Sequence, residues 1–341
     1  MHESKKSRQP YGFIHADVSG FYDNIDREQL MNSLRRRIDM PEVLKLVYRA
    51  ITTPVVPRNS RRTQRFHYYV AKGIPQGLAI SNILAAIYMS QFDRHMQAAS
   101  QHYMRYVDDI VILSPQGYVF RTLEKLRFEL AKLGLKLNEE KTKIGKVGKD
   151  SFDFLGYRMK PDGVISIRDV SLHRKLTSIA ARISSADHRK KEFLRIHKGV
   201  IDENIYKAVL IEDINEEITG AIGNRKRYGW LFYFSQMNDM ALLHRSDRIV
   251  TKLCTRCGTF SHRRPKAIKS FVTAFREIHK LASGIPTSYI PDYDEWNTSE
   301  KTAFFQNRGQ LLKGKKYTEG EIESLMYQRL RYLERDVRDI S

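Results

Sequence analysis

Two adjacent carboxylates stand between strand-forming runs in Tyr103-Met104-Arg105-Tyr106-Val107-Asp108-Asp109-Ile110-Val111-Ile112-Leu113. The β-branched and aliphatic residues after the acids read as a buried strand. Acids between two strand-forming segments call for a turn, so the expected unit is a hairpin with Asp108 and Asp109 at its tip. Like charges held side by side are costly unless a cation joins them. A divalent metal with oxygen ligands, Mg²⁺ or Mn²⁺, fits that role. From this segment alone, a solvated turn carrying two acids is the favoured reading.

Two further stretches narrow the choice. Gly12-Phe13-Ile14-His15-Ala16-Asp17-Val18-Ser19-Gly20-Phe21-Tyr22-Asp23-Asn24-Ile25-Asp26 is again an apolar strand running into an acid, followed by a turn at Ser19-Gly20, two aromatics and a helix start near Asp26. Gly73-Ile74-Pro75-Gln76-Gly77 is a turn feeding an amphipathic helix, expected over about 79–98 with Ile80, Ile83, Leu84, Ile87 and Tyr88 on its apolar face.

These stretches, in this order, resemble the palm of a reverse transcriptase. The resemblance makes Tyr106-Val107-Asp108-Asp109 the Y-x-D-D box and Asp17 the first metal ligand. It puts Ile74-Pro75-Gln76-Gly77 beside template and nucleotide. It extends over about residues 11–160, since residues 135–144 look like the region after the palm helix and Phe152-Asp153-Phe154-Leu155-Gly156-Tyr157 looks like the primer-grip hairpin. The implied reaction is RNA-directed DNA synthesis by two-metal nucleotidyl transfer, with RNA template, DNA product and deoxynucleoside triphosphates as partners. Asp17 and Asp108 are then the bridging ligands, with the Val18 carbonyl assisting and Asp109 auxiliary. Lys141 is a candidate to protonate the departing pyrophosphate, or a solvated loop lysine. Phe21, Tyr22, Gln76 and Gly77 would line the nucleotide. Tyr22 fits the aromatic that excludes a ribose 2′-hydroxyl, with plain packing as the alternative. Tyr106, Leu155, Gly156 and Tyr157 would meet nucleic acid.

The fold class that follows is α+β: a palm with a small antiparallel sheet and helices on one face, then a mostly helical thumb and C-terminal region. The expected divisions are a disordered basic arm over 1–10, the palm over 11–168 and the helical region over 169–341. Residues 26–52 read as two helices split near Pro41, residues 118–133 as a helix with Phe120, Leu123, Leu126, Leu130 and Leu133 on its apolar side, and residues 151–167 as two strands around Pro161-Asp162-Gly163. Residues 220–240 are taken as helical. They hold Arg225-Lys226-Arg227 among aromatics, either a nucleic-acid surface or a core with a basic rim. Thr318 with Glu321 marks a capping box for the last helix.

Charge agrees with a polyanionic partner: 59 Lys+Arg against 39 Asp+Glu leave +20. Arg58, Arg61, Arg62 and Arg65 lie in one loop, solvated or on phosphate. No apolar run is long enough to span a membrane. The first residues lack a signal core, and two cysteines suit a reducing compartment, so a cytoplasmic location is expected. Cys254, Cys257 and His262 supply three zinc ligands where a structural site needs four, since Ala267 stands at the fourth position.

Only sixteen residues precede Asp17, where reverse transcriptases place fingers. Truncation, a non-catalytic or split nucleic-acid-binding polymerase subunit that needs a partner chain's fingers, and a departure in which other groups hold the triphosphate all remain open, as does a non-coding RNA partner. RNA-copying RNA polymerases lack the Pro-Gln-Gly turn. The retron Val-Thr-Gly signature is reduced to Val272-Thr273-Ala274, and the nuclease region usual in group II intron proteins is not seen. The box from Ile74 to Ser81 is most similar to bacterial defence-associated reverse transcriptases of the abortive-infection and unknown groups.

Overall fold

The computed structural model describes residues 10–53, 72–100, 102–197 and 201–337. The basic arm, apart from Pro10, and Arg58, Arg61, Arg62 and Arg65 lie outside the described residues. Chain contacts divide the molecule into two compact units, the first running to Leu155 and taking in Lys160–Asp162, the second comprising Gly156–Met159 and everything from Gly163 onward.

The first unit is built on a four-stranded sheet. Strand β1 (Tyr11–Asp17) pairs antiparallel with β3 (Asp109–Pro115) and with β4 (Lys143–Lys146), and β2 (His102–Tyr106) closes the order β2-β3-β1-β4. Side chains alternate across a sheet. Ile14 and Ala16 of β1 and Ile110 and Ile112 of β3 therefore share one face, and all four are fully buried. That face is covered by apolar residues of α2 (Arg27–Arg35), α4 (Ser81–Ala99) and α5 (Val119–Lys132), among them Leu30, Leu84, Tyr88, Phe92, Leu123 and Leu126. The opposite face carries His15, Asp17, Asp109, Met104 and Tyr106.

Local signals explain the helix positions. Asp26 caps α2, its carboxylate accepting from Gln29 N at 2.9 Å, and α3 (Pro41–Ile51) opens on the expected proline. Two expected apolar faces are rotated. On α4 the buried seam is Ser81, Leu84, Ala85, Tyr88, Met89, Phe92 and Met96, while Ile83 is 60% exposed. The small Ser81 and Ala85 face inward, so side-chain size misled the pattern. On α5 the seam starts at Val119, and Phe120, about 100° further round the helix, is 73% exposed.

The second unit begins with a hairpin, β6 (Tyr157–Met159) and β7 (Ile165–Ile167), joined through Pro161-Asp162-Gly163 as expected. The short β5 (Phe152–Phe154) precedes it in the first unit, so residues 151–167 hold three strands where two were expected. Helices α6 (Asp169–Ser184), α7 (Ala186–Ile196) and α8 (Glu203–Thr219) follow. Residues 220–240 are then not one helix. They form a hairpin, β8 (Ala221–Gly223) and β9 (Lys226–Tyr228), and a single turn, α9 (Trp230–Tyr233). Asn224 (φ 50°) and Arg225 (φ 57°) make the two-residue turn in the left-handed region, and Asp294 accepts from both their N–H groups at 2.6 and 2.8 Å. Helices α10 (Met240–Cys254), α11 (Phe271–Ala282), α12 (Thr298–Asn307) and α13 (Glu319–Leu333) complete the unit, the last with the expected capping box.

Trp230, Phe234, Phe260 and Phe271 centre the core of this unit, which also takes in Cys254 and Cys257. Beside it runs a buried ion-pair network. Lys175 meets Glu217 and Asp336, Arg182 reaches Asp213 at 2.8 Å, and Arg329 spans Asp213 and Glu216. Buried charges need partners of this kind, and here they tie α6 and α8 to α13.

Candidate active site

Strand β1 ends at the site because Asp17 faces Asp109 directly in the ladder. The β2–β3 loop is only Val107 and Asp108, and Val107 takes φ 58°, a conformation a β-branched residue rarely adopts. The Val18 N–H donates to the Asp108 carbonyl at 3.1 Å, which fixes the hairpin tip against the end of β1. With that N–H committed and its side chain 1% exposed, Val18 can offer the site only its carbonyl. Asp17, Asp108 and Asp109 thus come from two neighbouring strand ends.

The electrostatics register this crowding. Burial pushes the Asp108 carboxyl above the usual carboxylate range, and the negative charges of Asp17 and Asp109 push it further, against a backbone hydrogen bond and Lys141. Two cationic or donor side chains already attend the acids. Lys141 Nζ lies 3.2 Å from Asp17 Oδ2, and His15 Nε2 lies 2.7 Å from Asp109 Oδ1. Lys141 is delivered by the segment after α5. Ser19 N donates to Lys136 O and Asn138 N to Asp17 O, extending the sheet edge, and Asn138 O then accepts from Lys141 N and Thr142 N to turn the chain back.

Tyr22 lies on α1 (Phe21–Asn24), which starts from Gly20 at φ 52°. Its hydroxyl donates to Asn82 at the start of α4. Burial raises its pKa, and the proximity of Asp108 and Tyr106 adds to the rise, which puts Tyr22 among the hairpin residues. Ile74 N donates to Tyr22 O at 2.9 Å, and a Cβ on Gly73 would sit 2.7 Å from Asp23 O. The turn bearing Gln76 and Gly77, both exposed, is therefore held to α1. Phe21 is a correction: at 2% exposure its ring belongs to the core, where it packs under the site and presents no surface to a nucleotide. Tyr106 is 52% exposed.

The remaining candidates belong to other elements. Leu155 adopts φ 49° in the turn between β5 and β6. Gly156 is buried, and the Tyr157 hydroxyl donates to Tyr233 O at 2.6 Å, within the second unit. Burial pushes that phenol up to about 12. Arg225, Lys226 and Arg227 are exposed on the β8–β9 hairpin. Sequence reasoning missed His15 and Asn82. The period of two along β1 could have found the first, because His15 shares its strand face with Asp17.

Among the described residues no three ligating side chains form a ready cage for a metal ion. The donor set still suits a hard divalent cation, for the carboxylates are oxygen ligands whose mutual repulsion such an ion would relieve.

A family model described as reverse transcriptase (RNA-dependent DNA polymerase) matches residues 1–159. The chain carries a reverse transcriptase domain. Protein YkfC of Escherichia coli (strain K12) is 27% identical, over 43% of this chain and 46% of its own length. The putative COX1/OXI3 intron 2 protein of Saccharomyces cerevisiae is 28% identical over 25% of this chain and 9% of its own. The chain thus spans less than half the length of the curated relatives it matches. A solved telomerase from Candida albicans, in complex with a fragment of telomeric RNA, aligns with 74% of this chain and 48% of its own at 15% identity and a TM-score of 0.44. Among the described residues of the reverse transcriptase domain and the region after it, no helix is long and apolar enough to cross a membrane.

Proposed function

We propose that the chain is an RNA-directed DNA polymerase, with its palm over 11–168 and a helical thumb and C-terminal region over 169–341. The observation that carries this reading is the meeting of Asp17, Asp108 and Asp109 at adjacent strand ends inside a reverse transcriptase domain. Asp17 and Asp108, with the Val18 carbonyl, would hold the divalent ions, Mg²⁺ or Mn²⁺, and Asp109 would assist. When bound, such ions stabilise charge on the attacking and leaving oxygens of an in-line displacement. The primer hydroxyl attacks the α-phosphorus, the new P–O bond forms as the bond to pyrophosphate breaks, and the hydroxyl proton leaves to solvent. Lys141, beside Asp17, would give a proton to the departing pyrophosphate. Tyr22 would close off the space of a 2′-hydroxyl, and Gln76 and Gly77 would meet the base pair or sugar. Tyr106, with Leu155, Gly156 and Tyr157, would contact the primer, and Arg225, Lys226 and Arg227 the nucleic-acid backbone. The +20 charge supports a polyanionic partner.

Incorporation of deoxynucleotides on an RNA template, dependent on Mg²⁺ or Mn²⁺ and lost in Asp108→Ala, tests the reading. A folded variant with full activity would remove it. For the biological role we propose antiphage defence, on the sequence box from Ile74 to Ser81. An intron-associated role is the second reading, favoured by the intron protein among the relatives. Phage plating on host cells with and without an intact Asp108 separates the two. Equal plating favours the intron reading.

A further inference from the structure

We propose that His15 is a positioning residue for Asp109: its ring Nε2–H holds one carboxylate oxygen and so sets how the other is presented. The proposal rests on the polymerase reading above. His15 sits two residues before Asp17 on the same face of β1, and Asp109 is opposite Asp17, so His15 and Asp109 are diagonal neighbours across the ladder. Nε2 lies 2.7 Å from Asp109 Oδ1, with the side chains only 17% and 24% exposed. Among the described residues no other side chain is hydrogen-bonded to Asp109.

A carboxylate only accepts, so the proton in this bond is on Nε2. The two opposed acids are held differently: Asp17 by Lys141, 65% exposed and free to leave, and Asp109 by a ring fixed in the sheet. Donors of this kind behind a ligating carboxylate set its orientation, and their loss costs roughly 10–100-fold in metal affinity or activity.

On the full chain, Mn²⁺ binding is followed by electron paramagnetic resonance beside steady-state incorporation. His15→Phe, which keeps the bulk and loses the donor, should weaken Mn²⁺ binding and lower kcat by about 10-fold or more, with the nucleotide KM within about twofold. His15→Gln, whose amide N–H can reach the same oxygen, should recover most of both. A folded His15→Phe that binds Mn²⁺ like the wild type would overturn the proposal. Should the wild type bind Mn²⁺ and yet incorporate nothing, the polymerase reading falls, and the Mn²⁺ affinities still decide the role of His15.

Discussion

Lys141 Nζ occupies Asp17 Oδ2 at 3.2 Å, on the carboxylate that would hold a divalent ion. The lysine is 65% exposed, and it reaches the acid from a turn organised by Asn138. An exposed pair of this sort is weak, so an arriving ion can displace the ammonium toward a leaving group. Lys141→Leu should lower kcat by about 10²-fold, the range for loss of a general acid. Mn²⁺ affinity should stay unchanged or rise, because Asp17 is freed. An unchanged kcat would reduce Lys141 to a surface ion pair.

Tyr22 is held from two sides, through its hydroxyl to Asn82 and through its carbonyl to Ile74 N. If its ring bounds the sugar, Tyr22→Ala should raise ribonucleotide use relative to deoxynucleotide use by about tenfold or more, on the scale of one apolar contact in a pocket. Asn82→Ala, which frees the hydroxyl, should have a smaller effect in the same direction. Competition assays on one template measure both. A constant ratio in Tyr22→Ala would leave the residue a packing role.

The site was more legible in the sequence than the second unit. An apolar strand that ends in an acid, and a pair of acids between two strands, leave few foldings, and Asp17 does face Asp109. Lys141 was findable only by resemblance, since its reach depends on backbone bonds that join Asn138 to Asp17 and Lys136 to Ser19, pairs far apart in the chain. The β8–β9 hairpin was read as a helix. Its turn at Asn224-Arg225 puts a bulky arginine in the left-handed region, held there by Asp294 from 69 positions away. Phe120 and Ile83 looked like core because they are apolar. The inward seam of α4 admits the small Ser81 and Ala85 instead, and that of α5 starts one residue earlier, at Val119.

Acid sensitivity of the second unit should trace to Glu217. Burial alone would raise its pKa, but Lys175, Arg182 and Arg335 outweigh that and draw it down to about 2. An unfolded glutamate titrates near about 4.3. The folded state therefore gains stability that is complete above that value and is lost as pH falls toward 2. Glu217→Gln should flatten the fall in melting temperature between about pH 4.5 and 2. At neutral pH it should cost about 3 kcal/mol, because Lys175, Arg182 and Arg335 all lose the carboxylate they share and Lys175 keeps only Asp336. Calorimetry across that pH range checks both, and an unaltered pH slope would dissociate Glu217 from acid unfolding.

Binding to RNA or to an RNA–DNA duplex should weaken linearly on a log–log plot against salt, as expected when basic residues release counterions. Arg225→Ala with Lys226→Ala and Arg227→Ala should make the slope shallower by about 3, near one for each phosphate no longer neutralised. Fluorescence anisotropy over a salt series measures it. A slope equal to that of the wild type would take the hairpin out of the interface.

The most direct test is RNA-templated incorporation of deoxynucleotides by the purified chain and by Asp108→Asn, each verified as folded by circular dichroism. The asparagine keeps the size of the side chain and removes its charge. The account predicts incorporation by the wild type that needs Mg²⁺ or Mn²⁺, and a loss on the order of 10³-fold in the variant. Equal incorporation by the two folded proteins would contradict it.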